Sequence, residues 1–494
     1  MGGIKFNPGL ASLFIGASFL GCAPSIVYHP QGSVSNSSDS LPTSPTTRSP
    51  SPAAGSPSPT AIPSSPSPKP SPSPSVPVSS IPAITQTITV ADAAFATQIG
   101  GALEKVVGYF TSTTLPSVVV GFQPNNSQGG LYLFTSTTGQ LTGPYQPTAL
   151  VAAGDAYERA VAFTYPGDTY PGIIASIEPS GASNHQIIWY RNPANSGGNP
   201  LDPKQWGVQV INPSHGCHDL RLIDMDGDGK LDVVCSSSLV LGSEGENTPS
   251  FIAFQNSSTD WSLVYNIAPL ADGVDAIKTA GSDKENLVGA NQNDGNIYWY
   301  ENPCTRTPFV QQGVPCSASR QSGWAMHKIN SGQSGTAEGN AFTTVTINGV
   351  QGVITAANEE YSGVIYTPGV AWFSPGSNTA SPWNMVELDN TYRDVHEINT
   401  GTWNNGIPYV IAAEQEQACP PSMPNGSPPD HQSPCRIGMF QYINGAWQQT
   451  VLSQTSTQNQ YVIPYGNGLL MTGANHGFYG GDPTVYLWVI QPSN

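Results

Sequence analysis

The chain has 494 residues, including 52 Gly and 46 Pro, and only 10% are charged, 33 acids against 16 bases. One Gly or Pro in every five residues excludes helical bundles and coiled coils, and a net charge of −17 argues against nucleic-acid or anionic-lipid binding, which needs clustered Lys and Arg. Apolar residues, at 38%, still suffice for a sizeable core, so the composition predicts a turn-rich, all-β chain.

Residues 1–22 read as a lipoprotein-type signal peptide. Lys5 gives a short positive region, Leu10 to Leu20 an apolar stretch, and Ser18-Phe19-Leu20-Gly21-Cys22 resembles a bacterial lipobox. That resemblance makes Cys22 the lipidated first residue of the mature protein. Phe19 stands where Leu is usual, which leaves cleavage without lipid open. The apolar run is too short to remain as a spanning helix. Residues 23–82 are expected to form a disordered linker, since 36 of the 52 residues from 31 to 82 are Ser, Pro or Thr. Such a segment cannot bury enough apolar surface to offset its chain entropy, and its prolines hold it extended. The expected protein is therefore exported and tethered, touching a membrane only through its lipid. It would sit in a bacterial cell envelope, at the outer surface or in the periplasm. The body, 83–494, carries 32 acids against 13 bases, a net −19.

The body opens with Ile84-Thr85-Gln86-Thr87-Ile88-Thr89-Val90, which alternates as a strand does. A repeat follows, marked by an apolar strand that ends on aromatic residues. It runs through Leu131–Phe134, Ile187–Tyr190, Phe251–Phe254, Ile297–Tyr300, Val370–Phe373, Ile437–Phe440 and Val485–Trp488. The last aromatics are spaced by 56, 64, 46, 73, 67 and 48 residues. A short apolar run precedes each one, from Val118-Val119-Val120 in the first unit to Leu469-Leu470 in the seventh. Strands this short must stack to bury their faces. Seven four-stranded blades in a ring satisfy that need, and the stretch 84–92 supplies the strand that the last unit lacks. The irregular spacing leaves six and eight blades open.

Seven cysteines are present, and with Cys22 set aside the other six fall into near neighbours. Six cysteines allow fifteen pairings. The short separations favour Cys217 with Cys235, Cys304 with Cys316, and Cys419 with Cys435. Disulfides fit an oxidising compartment.

The most specific motif is Asp224-Met225-Asp226-Gly227-Asp228-Gly229-Lys230-Leu231-Asp232. Side-chain oxygens from Asp224, Asp226, Asp228 and Asp232, with the Lys230 carbonyl, suit a hard cation such as calcium. An EF-hand would place a glutamate where Cys235 stands, and the flanks are strand-like, so the loop is expected inside a β-hairpin. Residues 218–234, HDLRLIDMDGDGKLDVV, resemble an FG-GAP/VCBS repeat, the unit of integrin-α-type β-propellers. The endings Trp189-Tyr190-Arg191-Asn192-Pro193 and Trp299-Tyr300-Glu301-Asn302-Pro303 are similar to bacterial members of that superfamily. The resemblance implies a seven-bladed propeller over 83–494 with one structural calcium site. The acidic loop has decayed elsewhere, as in Gly281-Ser282-Asp283-Lys284-Glu285-Asn286.

In propellers the inner strands start on the face opposite such a loop, and ligands are expected there. Candidate ligand-binding residues are His218, Asp219, His396, Glu397, Glu359 and His476, with Glu158, Arg159, Asp275, Glu360, Asn291, Asn293, Glu414 and Glu416 nearby. Tyr361, Tyr392, Tyr465 and Phe478 are candidate stacking rings. Carbohydrate or a surface protein is the expected partner, and nucleic acid is not. The alternative is a metal-assisted sugar lyase or dehydratase, similar to aldos-2-ulose dehydratase or polysaccharide-lyase propellers. Such an enzyme would hold a second divalent metal between His218, His396 and a carboxylate. The sequence has no GxSxG elbow, P-loop, HExxH or dinucleotide fingerprint, so no catalytic residue is assigned.

Overall fold

The structure, a computed structural model, describes residues 81–492. Stretches 100–101, 123–128, 153–155, 179–184, 237–248, 271–272, 279–283, 292–295, 306–314, 322–323, 331–341, 357–368, 377–381, 393–394, 415–435, 455–457 and 475–483 are excepted. All described residues belong to one of two units of the chain, Ser75–Asn494. The signal peptide with Cys22, most of the linker, and Cys419 with Cys435 lie outside them.

Strand β1 (Pro82–Ala91) is followed by a short helix, Ala93–Ile99. Blade 1 is β2 (Ala102–Gly108), β3 (Ser117–Phe122), β4 (Gly130–Ser136) and β5 (Tyr145–Ala152). Blade 2 is β6 (Ala156–Phe163), β7 (Gly172–Glu178), β8 (Gln186–Arg191) and β9 (Gly207–Asn212). Blade 3 is β10 (Leu220–Ile223), β11 (Asp232–Cys235), β12 (Phe251–Gln255) and β13 (Trp261–Tyr265). Blade 4 is β14 (Val274–Lys278), β15 (Glu285–Asn291), β16 (Asn296–Glu301) and β17 (Ala325–Lys328). Blade 5 is β18 (Phe342–Ile347), β19 (Val350–Ala356), β20 (Val370–Ser374) and β21 (Asn384–Asp389). Blade 6 is β22 (Val395–Thr402), β23 (Pro408–Glu414), β24 (Ile437–Ile443) and β25 (Ala446–Ser453). Blade 7 is β26 (Gln458–Tyr465), β27 (Gly468–Ala474) and β28 (Val485–Pro492), with β1 as its outermost strand.

Every sheet is four-stranded and antiparallel, blades 1 to 6 as meanders of consecutive strands, and the inner strands contact one another in a closed circuit in which β26 meets β2. The protein is a seven-bladed β-propeller. Blade 7 is assembled from both ends of the body: β1 pairs antiparallel with β28 from Pro82↔Pro492 to Ala91↔Val485, and Ile88 and Val90 are buried there.

The core consists of seven apolar clusters, one at each seam between adjacent blades. Alternation along a strand explains the paired apolar residues of the sequence. In β11, Val233 faces the seam with blade 2 and Val234 the seam with blade 4. In β7, Ile173 and Ile174 divide in the same way between blades 1 and 3. A strand buried on both faces reads as a continuous apolar run. The hairpin turns follow residue chemistry. Asn348-Gly349 and Asn444-Gly445 take positive φ at both positions in two-residue hairpins, β18–β19 and β24–β25.

The Asn-Pro endings stitch seams. Asn192 donates from Nδ2 to the Phe110 carbonyl of blade 1 and to Pro171 O before β7. Asn302 does the same with Met225 O of blade 3 and Glu285 O. Each asparagine thus satisfies carbonyls on two blades at the face where first strands turn into second strands.

Buried tyrosines add a pH limit. Burial pushes the hydroxyls of Tyr392 and Tyr409 up to about 12. An unfolded tyrosine ionises near about 10, so these side chains favour the folded state fully below that pH. Their contribution should fade as pH rises from about 10 to about 12, with absorbance at 295 nm and circular dichroism changing together. Early ionisation of all tyrosines with the fold intact would contradict this.

Candidate functional site

The aspartate loop joins β10 to β11, as the hairpin reading expected. Residues Leu220–Ile223 pair with Cys235–Asp232, and the Cys217–Cys235 disulfide (Cα–Cα 5.2 Å) ties the approach to β10 onto β11. Gly227 and Gly229 turn the chain with φ of 75° and 82°. Asp224 accepts backbone N–H groups from Gly227 (2.8 Å), Asp228 (3.1 Å) and Gly229 (2.9 Å). Asp232 accepts from Met225 N and from Gln255 N on β12, each at 2.9 Å. Asp224, Asp226 and Asp232 each bring one carboxylate oxygen within 4.8 Å of the others. Asp228 instead accepts from Lys230 at both its backbone N and its ammonium.

Burial raises the Asp224 carboxyl above its usual range, and the neighbouring Asp226 and Asp228 charges add to this, against hydrogen bonds from Gly229 and Gly227. Burial likewise holds Asp232 well above it, with Asp226 and Asp224 adding, against hydrogen bonds from Gln255 and Met225. Hard oxygen donors crowded at this cost suit a bound cation. Among the expected side-chain ligands, Asp224, Asp226 and Asp232 are the three whose carboxylates converge.

The opposite end of the first strands forms the axial channel, a cavity of about 260 Å³ reached by all seven blades. Its wall includes Glu104 of β2, Arg159 of β6, Asp219 and Arg221 of blade 3, and Asp275 of β14. Thr343 of β18, Asn399 and Thr400 of β22 and Tyr461 of β26 complete it. These groups form a belt of contacts between adjacent blades. Arg159 pairs with Glu104 (3.5 Å) and donates to His218 O (2.7 Å). Asp219 holds Arg221 (2.7 Å) and accepts from Val274 N (3.0 Å). Asp275 accepts from Thr343 Oγ1 (3.0 Å), Thr344 N (2.7 Å) and Thr344 Oγ1 (3.1 Å), and Thr400 Oγ1 donates to Thr344 O (2.7 Å). Burial, then the Glu104 charge, raises the Tyr461 hydroxyl.

Of the residues expected on this face, His218 and Asp219 lie at the channel end of blade 3, joined there by Arg159 and Asp275. His396 and Glu397 lie on the β22 backbone, close to its start; their side chains, and that of Glu158, are outside the described residues. So are Glu359, Glu360, Tyr361, Asn293, Glu416, His476 and Phe478. Glu414 is buried and pairs with Arg436 (3.3 Å), whose guanidinium lies 3.9 Å above the Tyr392 ring. Two expected stacking rings are corrected by the structure. Tyr392 is fully buried against Phe440, and Tyr465 ends β26, at the aspartate-loop face.

Glu104, Asn399 and Tyr461 were not legible as channel residues, because their strands carry no motif, and Arg221 was passed over although its strand belongs to the 218–234 repeat. Asp219 and Arg221 share a strand face two residues apart, the only local hint. Nor did the sequence mark Arg320, whose Nε (3.0 Å) and Nη2 (2.7 Å) both donate to Asp226 Oδ2.

The fold and the belt define a propeller with a polar axial channel and an acidic turn on the far face. No family model matches the chain, and no curated protein matches it in sequence. Solved structures similar in fold include YCF48 from Cyanidioschyzon merolae, at 10% identity and TM-score 0.40, covering 83% of this chain and 99% of that one. A GH43 β-1,3-galactosidase, BT3683, with galactodeoxynojirimycin, is similar at 9% identity and TM-score 0.31, covering 82% and 94%. Pseudomonas fluorescens PhoX, in complex with vanadate, is similar at 8% identity and TM-score 0.32, covering 84% and 96%. Among the described residues no helix is long and apolar enough to cross a membrane.

Proposed function

We propose that the protein is an exported, surface-tethered binding propeller of the FG-GAP/VCBS type, which takes a carbohydrate or protein ligand at the channel face. Calcium held by Asp224, Asp226 and Asp232 braces the opposite face, supplying charge neutralisation and no chemistry on a substrate. The observation that carries the reading is the axial channel. All seven blades place polar side chains there, and Arg159, Arg221 and Asp275 are held by neighbours in fixed positions, as recognition of hydroxyl-rich or polar groups requires. Two disulfides, Cys217–Cys235 and Cys304–Cys316, accord with residence outside the cytoplasm.

A glycan array probed with the full chain tests this, alongside R221A. Binding of a defined glycan class that R221A weakens by about tenfold or more, about 1.4 kcal/mol, is expected. Glycan binding unaffected by R221A and by T343A would remove the channel from the reading.

A further inference from the structure

We propose that Arg320, contributed by blade 4, is a built-in counter-cation of the blade 3 aspartate loop and sets that loop's affinity for calcium. The proposal rests on the calcium reading above. Arg320 ends a 3-10 turn, Ser317–Arg320, in the connection between β16 and β17. Four contacts deliver that turn to the loop. The Cys304–Cys316 disulfide (Cα–Cα 5.9 Å) closes the connection. Ser319 N donates to Cys304 Sγ (3.1 Å), and Cys316 N donates to the Asp226 carbonyl (2.8 Å). Asn302 anchors the start of the same connection on Met225 O (2.9 Å).

The guanidinium is fixed on every side. Nε and Nη2 hold Asp226 Oδ2, Nη1 donates to Asn256 Oδ1 (2.9 Å), and the group lies 4.6 Å above the Phe254 ring. The Arg320 side chain is 28% exposed and that of Asp226 only 4%. Lys284, from the decayed loop of blade 4, is fully buried beside the aspartate loop, where a Cβ on Gly227 would stand 2.7 Å from its Cε. Blade 4 thus lacks an acidic loop of its own and presents the Arg320 guanidinium to its neighbour's.

An arginine keeps its charge at any accessible pH. It neutralises Asp226 without a metal, so the seam between blades 3 and 4 stays closed in calcium-free protein. A dication entering the loop must share Asp226 with this fixed positive charge, so calcium affinity falls. Arg320 thereby makes the loop a weak calcium site on a fold that closes without the ion and gains only modest further stability from it.

Calcium titration by calorimetry, with melting curves with and without calcium, tests this on the full chain and its R320Q and R320K variants. R320Q keeps a hydrogen-bond donor and loses the charge. It should bind calcium about tenfold more tightly than the unaltered chain, about 1.4 kcal/mol. It should also melt lower without calcium and recover in saturating calcium, while R320K stays close to the unaltered chain. An unchanged calcium affinity in R320Q, or an equal loss of melting temperature with and without calcium, makes Arg320 a strut only and overturns the proposal. If neither the unaltered chain nor R320Q binds calcium, the calcium reading itself falls, and the proposal with it. If R320Q does not fold, the C304S/C316S variant, which frees the turn carrying Arg320, takes its place with the same expected tightening.

Discussion

Deletion of residues 82–91 is expected to abolish cooperative folding of the propeller. Strand β1 is the outermost strand of a blade whose other three come from the far end of the body, so its loss opens the ring at one seam. Ile88 and Val90 are buried against β27, β28 and blade 1. Their burial is worth about 1.5–3 kcal/mol each, and the ladder to β28 adds about 0.5–1.5 kcal/mol per hydrogen bond. The sum rivals the whole stability of a typical domain, about 5–15 kcal/mol. The deletion also bares the edge of β28, a strand rich in apolar residues, so aggregation should accompany the loss. Circular dichroism melts and size-exclusion chromatography read both effects. A deleted chain that stays monomeric and melts within a few degrees of the intact one would show that β1 does not close the ring.

Removal of calcium should lower the melting temperature, and Asp224→Ala should abolish that response. Ligand at a hundredfold excess over its dissociation constant stabilises by about 2.7 kcal/mol, which for a propeller of this length is a shift of about 3 °C. Asp224 also accepts three backbone N–H groups of its own turn. Its truncation removes the acceptor of Gly227 N and Gly229 N, while Asp228 N keeps Asp226 Oδ1 (3.2 Å), and should cost about 1–3 kcal/mol even in chelator. The two effects separate cleanly, since the chelator acts on the ion and the substitution on both ion and turn. An intact chain whose melting curve is the same in saturating calcium and in chelator would exclude a stabilising ion at this loop.

The residues that the sequence made legible share one property: their pattern is local. Paired apolar residues such as Val233-Val234 declare a strand buried on both faces, because each neighbour in a strand points to a different seam. The spacing of aspartates from Asp224 to Asp232 declares an oxygen-lined turn, because the ligands of such a turn lie within one loop. Cys217–Cys235 and Cys304–Cys316 could be paired for the same reason, each spanning one local connection.

What stayed hidden is made across blades. The channel belt joins Glu104 to Arg159, 55 residues away, and Asp275 to Thr343, 68 residues away. Arg320 meets Asp226 across 94 residues, and Tyr392 is buried by packing against Phe440 on blade 6. The amino-acid sequence by itself determined the blades, their number to within one, the acidic turn and two disulfides, since each follows from short-range alternation, spacing and turn chemistry. The ring decided which further side chains, such as Glu104, Asn399 and Tyr461, join Arg159, Asp219 and Asp275 in the channel, and that Arg320 faces the acidic turn. Circular closure brings residues from separate repeats to one axis and one seam, and no spacing within a single repeat encodes that meeting.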